Sequence, residues 1–216
     1  MIFGKIEYLN LLPFHVFMKR FTKNSQQKLV MEHKKNVPAK VNEDFLQRRV
    51  DAAFISSIKA RNRAHVGLGI IANKKVQSVL VIPNAANKAD TESASSNVLA
   101  RILDIKGEVL IGDKALRYAL QNDNYIDLAQ EWYDKYKLPF VFALLCYHKD
   151  KKTYKKIERE FLKREVKIPN YLLKKAADKT GVAPAEIQAY LKLISYRVDY
   201  KAQKALRRFY KEAKSL

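Results

Sequence analysis

The stretch IEYLNLLPF, residues 6–14, begins as a strand and breaks at Asn10 and Pro13. Residues 2–9 read as a first strand. The run LPFHVFMKRF then carries apolar residues at helical spacing, with Phe14, Val16, Phe17 and Phe21 on one side, so a helix starts near Pro13. Proline is tolerated in a first turn because its missing N–H would have had no helical partner. A strand that turns through an asparagine into a helix is the opening of an α/β unit. Asn10 can be a plain turn residue there, or an amide aimed into a cleft.

The pattern continues outward from that point. QKLVMEHK (27–34) reads as a second strand. Pro38 ends that strand region, and Asn42 is a candidate N-cap for EDFLQRRV. DAAFISS (51–57) reads as a third strand with Ser56 and Ser57 at its carboxyl end, and VGLGIIANKKVQSVLVIPN (66–84) as a β-rich stretch turning at ANKK. This order predicts an α/β lobe with a mainly parallel sheet. The character changes near Pro83. SASSNVLARIL (93–103) places serines at a helix start, GEVLIGDKAL (107–116) is a strand running into a helix, DLAQEWYDKYK (127–137) is a helix, and LPFVFALLCYHK (138–149) is a strand. From Lys149 onward the chain reads as three or four basic amphipathic helices.

The 216 residues suit one large domain or two small lobes, and 48% hydrophobic residues suffice for a core. A net charge of +20 points to anionic partners, although a merely solvated basic surface gives the same number. The single cysteine, Cys146, excludes an internal disulfide and reads as a buried thiol. His15, His33, His65 and His148 are scattered without metal-ligand spacing, so no metal or cofactor is expected. The N-terminus reads directly as a strand, and no apolar stretch approaches the roughly 20 residues of a membrane span. The expectation is a soluble, cytoplasmic protein with no membrane partner.

Two features compete for function. Residues 172–191 fit the spacing of a helix-turn-helix, with Ala177, Gly181, Ile187 and Tyr190 at its small, turn and core positions. An ordinary αα-hairpin needs the same pattern. The second helix carries Glu186 near its start and few side chains suited to base edges, so nucleic acid is a weak expectation. The serines carry more. Ser93, Ser95 and Ser96 open a helix whose unpaired N–H groups and positive dipole end favour a carboxylate or phosphate, whereas a plain N-cap needs one serine. In open α/β sheets, ligands sit beyond the carboxyl ends of strands. Asn10, Ser56 and the serines that follow ADTE are therefore expected to converge on one crevice.

In order along the chain, YLNLLPF, VDAAFISS, VQSVLV, SASS, IGDKAL and DLAQEWYDKYKLPFVFA resemble the motifs of MqnA proteins, the chorismate dehydratases of the futalosine route to menaquinone. The resemblance runs from about Ile6 to Ala143, with a looser echo in AYLKLISYRVDY (189–200). It implies an α/β, two-lobed fold like the type II periplasmic binding proteins. Lobe one would span 1–80 plus 142–216, and lobe two 81–141. Only DIKGE separates SSNVLARIL from VLIGD, where the family usually has a longer insert, so lobe two is expected to be small.

The resemblance also implies a reaction: loss of water from chorismate to give 3-[(1-carboxyvinyl)oxy]benzoate, without metal or organic cofactor. It implies Asn10 as the catalytic residue, with Tyr8, Ser56, Ser57, Ser78, Ser93, Ser95, Ser96 and Asp113 binding substrate. Asp113 has a competing role as a helix cap. The matched motifs hold no other obvious base, so the proton is expected to pass to the substrate's own enolpyruvyl carboxylate. A non-catalytic anion-binding protein of the same fold and a DNA-binding regulator are the alternatives.

Overall fold

The computed structural model describes residues 2–22, 34–83 and 86–216. The expected strand QKLVMEHK lies outside the described residues, apart from Lys34.

The described residues build two sheets. The larger has the strand order β1 (Phe3–Gly4), β2 (Ala52–Ser56), β7 (Phe140–Tyr147), β3 (His65–Ala72), β8 (Ile194–Arg197). The smaller has the order β5 (Glu108–Ile111), β4 (Val79–Ile82), β6 (Ile126–Asp127). Among these strands only β1 and β2 pair in parallel; β7 is antiparallel to β2 and β3, and β3 to β8. The mainly parallel sheet expected from the element order is therefore corrected. After β3 the chain leaves for the second sheet and comes back as β7, inserted between β2 and β3, so the returning strand must run the other way.

This route places the site. The end of β2 lies beside the start of β7, with Ser56 opposite Ala143, and the end of β3 pairs with the same segment, Ala72 opposite Phe140. Both chain crossings between the sheets thus leave from one end of the large sheet. Asp127 secures the first crossing. One carboxylate oxygen accepts from Val76 N and Gln77 N at 2.9 and 2.7 Å, and the other caps α6 (Leu128–Tyr136) through Ala129 N and Gln130 N. Burial pushes its pKa up, against these four N–H donors.

Ten helices cover the sheets among the described residues. α1 (Leu12–Phe21) begins at the expected proline, preceded by a 3₁₀ turn at Leu9–Leu11. Phe14 of α1 is fully buried among Phe3, Phe54 and Phe161 at ring-centroid distances of 4.9–5.7 Å; burying one such side chain is worth about 1.5–3 kcal/mol. α2 (Pro38–Leu46) starts at Pro38, so Asn42 is a mid-helix residue and not the expected cap. Helix α3 (Ser57–Ala60) follows β2 directly. The second lobe holds α4 (Ala94–Ile102), α5 (Gly112–Gln121) and α6, whose Trp132 is fully buried and donates Nε1–H to Pro139 O.

After β7 the chain forms α7 (Lys151–Leu162), α8 (Asn170–Thr180), α9 (Pro184–Leu191) and α10 (Tyr200–Glu212). ISYR, at the end of the expected helical run APAEIQAYLKLISYRV, instead forms β8 on the sheet edge. Gly181, at φ +69°, ends α8 in the left-handed region, the conformation a glycine supplies at a helix C-terminus. The helix-turn-helix look-alike is an αα-hairpin whose second helix turns Ile187 and Tyr190 inward, both buried. Among the described residues no helix is long and apolar enough to cross a membrane.

Candidate active site

A crevice lies between the lobes at the crossing end of the large sheet. Tyr8, Asn10, Ser56, Ser78, Ser93 and Ser96 line it, with Gly112 and an apolar wall that includes Ile6, Phe54, Ile70, Val76 and Phe142. Six of the nine expected site residues are thus brought together. Among the described residues no charged side chain lines the crevice, and an anion would meet their hydroxyls, an amide and helix N-termini.

Each polar group is held from behind. Ser56 ends β2, its N–H donates to Asn42 Oδ1 at 3.0 Å, and Asn42 Nδ2 donates to Ser56 Oγ at 2.6 Å. Ser93 caps α4, its Oγ accepting from Ser96 N at 3.2 Å and donating to Ser96 Oγ at 2.7 Å. Ser78 Oγ accepts from the Tyr190 hydroxyl at 2.9 Å. Asn10 sits in the 3₁₀ turn; its backbone carbonyl accepts from Tyr196 Oη at 2.6 Å. Two helices, α4 and α5, begin at the crevice wall. Their N-terminal N–H groups and dipoles favour a carboxylate.

Ser57, Ser95 and Asp113 are placed behind this wall and not on it. Ser57 Oγ and Ser95 Oγ lie 3.0 Å apart, and Ser95 Oγ also accepts from Ile58 N at 3.1 Å. They join the start of α3 to the start of α4, one lobe to the other. Asp113 is inside the first turn of α5, not at its cap position, which is Ile111. Its Oδ1 accepts from Leu9 N at 3.0 Å, a second link across the lobes. Burial pushes the Asp113 carboxyl up, and that bond works against the shift.

Other residues of the site were not expected from the sequence. Glu92 accepts a hydrogen bond from the Tyr8 hydroxyl. Burial and then this carboxylate push the Tyr8 phenol far above its usual range, so it stays protonated. Gly112, at φ +67°, has no room for a side chain, since a Cβ would come within 2.7 Å of the Tyr8 ring. Asn42 and Tyr190 complete the set. Glycine at a strand-to-helix junction was the visible signal for Gly112. Glu92 sits in a polar loop that carried none. Cys146 is fully buried and its thiol is pushed up to about 12 by burial, with Arg63 opposing; His148 Nε2 is 2.7 Å from Phe45 O. Neither is placed for nucleophilic chemistry. No cluster of three His, Cys, Asp or Glu groups able to hold a metal exists among the described residues.

Comparison with known proteins agrees with this architecture. A chorismate dehydratase of Campylobacter jejuni is 44% identical over 220 residues, covering 100% of this chain and 99% of its own. Among solved structures, a protein of Archaeoglobus fulgidus superposes with a TM-score of 0.68 at 12% identity, covering 99% of this chain and 96% of that one. A Candida albicans protein described as having the generic periplasmic binding protein fold gives 0.52 at 12% identity, covering 100% and 90%. These two show the fold alone. The family model for menaquinone biosynthesis matches residues 1–107 and 102–215. The chain belongs to this menaquinone-biosynthesis family.

Proposed function

We propose that the protein is a chorismate dehydratase, converting chorismate to 3-[(1-carboxyvinyl)oxy]benzoate and water in the futalosine route to menaquinone, in the cytoplasm. The observation that carries this reading is the crevice itself: Asn10 with Ser56, Ser78, Ser93 and Ser96 around an apolar wall, on a chain 44% identical throughout to a chorismate dehydratase. The lobes, 1–80 plus 142–216 and 81–141, would close on the substrate. Each proposed boundary falls close to a crossing between the two sheets, at 73–78 and 137–139.

In this reading the apolar wall takes the ring, and the starts of α4 and α5 take carboxylate charge through N–H groups and serine hydroxyls. Asn10 orients the group that reacts. The ring C–H proton passes to the substrate's own enolpyruvyl carboxylate, the C–H electrons form the new ring double bond, and the C–O bond breaks as hydroxide leaves. Hydroxide takes up the proton and departs as water. Among the described residues no carboxylate lines the crevice to act as base. The protein's contribution is then positioning, which can supply about 7–11 kcal/mol when the geometry is right. The test is direct: purified protein incubated with chorismate should release a product lighter by one water, read by mass spectrometry. Folded, monodisperse protein that binds chorismate and leaves it intact would favour a binding protein of the same fold.

A further inference from the structure

Tyr190 belongs to the segment whose spacing imitates a DNA-binding motif, yet its side chain goes to the crevice. It lies on α9 with its side chain 2% exposed, and it is not among the residues that line the crevice. Its hydroxyl donates to one that is, Ser78 Oγ, at 2.9 Å. The two residues come from the first crossing between the lobes and the C-terminal hairpin.

We propose that Tyr190 is a positioning residue of this site, fixing which way the hydrogen bonds of Ser78 point. The inference rests on the reading of the crevice as the substrate site. A phenol has one proton to give and lone pairs to accept with. With that proton on Ser78 Oγ, the serine's own proton is directed elsewhere, toward the crevice. Tyr196, on β8 just after this helix, donates to the backbone carbonyl of Asn10 on the same wall. The crevice wall therefore presents the Ser78 hydroxyl in a set orientation. Ile187, one turn earlier on α9 and fully buried, keys the helix in place. The look-alike pattern is what an inward-facing Ile187–Tyr190 pair requires: a tight turn at Gly181 and one apolar face.

Tyr190→Phe keeps the ring and removes only the hydroxyl. Its turnover number should fall at least tenfold while KM changes by less than about threefold, because the groups still bind but no longer hold the reacting orientation. Ser78→Ala combined with Tyr190→Phe should be little worse than the more damaging single change. Ile187→Val, a packing lesion on the same helix, should leave turnover unchanged. A readout that needs no substrate is the fluorine resonance of protein carrying 3-fluorotyrosine at position 190, which should move in Ser78→Ala. Wild-type turnover in Tyr190→Phe, strictly additive losses, or a fluorine resonance unmoved by Ser78→Ala would overturn the proposal. Failure of the wild-type protein to dehydrate chorismate would instead sink the functional reading, and the fluorine resonance would still decide the role of Tyr190.

Discussion

The Tyr8 hydroxyl donates to the Glu92 carboxylate, tying the strand-to-helix turn of the first lobe to the loop before α4 in the second. The Tyr8 ring also rests against the Gly112 backbone, and the neighbouring Leu9 N–H reaches Asp113. Residues 8 and 9 are thus held by the second lobe at three points. Tyr8→Phe keeps the ring contact and loses only the link to Glu92. Hydrogen bonds to charged groups contribute about 1.5–3 kcal/mol when buried and less when part-exposed. KM for chorismate should therefore rise by about threefold to thirtyfold, with Glu92→Gln showing a smaller rise. Steady-state kinetics on the two variants checks this, and an unchanged KM in Tyr8→Phe would remove the link from the account.

Asn42 and Ser56 make a mutual pair inside the first lobe, with distances of 2.6 and 3.0 Å. Asn42→Ala leaves the buried Ser56 N–H and hydroxyl without that partner. The expected cost is about 1–3 kcal/mol of folding stability, seen in chemical denaturation as a lower midpoint with an unchanged slope. Activity per folded molecule should also fall, because Ser56 lines the crevice.

Glu7 predicts a pH dependence. Burial works to raise its carboxyl pKa, but hydrogen bonding and charge from Lys179, with Lys5 and Lys35, outweigh it and hold the value at about 2 against an ordinary 4.5. A carboxylate depressed in the folded state stabilises it fully above the unfolded value, and that contribution fades as pH falls from 4.5 through 2. Glu7→Gln should therefore be less stable than wild type at neutral pH, and the gap should close across this acid window. Thermal melts at stepped pH read it, and added salt should shrink the neutral-pH gap because the pairs are partly exposed.

Much of this arrangement was legible in residue type and order. Asn10 between a strand and a proline-started helix, and Ser93 with Ser96 at a helix start, are local signals whose meaning the fold keeps. Other features depend on contacts that sequence order does not carry. A serine names a hydroxyl without naming the side it faces, so Ser57 and Ser95 look like Ser56 and Ser96, yet they bond to each other across the lobes. Asn42 looks like a helix cap because the residues after it are helical, but Pro38 starts that helix a turn earlier and turns Asn42 toward Ser56. β8 hides in LKLISYRV because four residues at a sheet edge continue a helical apolar pattern. The direction of β7 follows from a detour through a second sheet, which alternating elements do not reveal. Glu92 and Tyr190 act through partners 84 and 112 residues distant.

The most direct test of the account compares wild type with Asn10→Ala in one chorismate assay, with circular dichroism confirming that both are folded. Wild type should release the dehydrated product. Asn10→Ala should keep the same spectrum and lose at least about a hundredfold in turnover, as expected when an orienting group beside the reacting atoms is removed. A folded Asn10→Ala protein that dehydrates chorismate at the wild-type rate would contradict the placement of the reaction at this crevice.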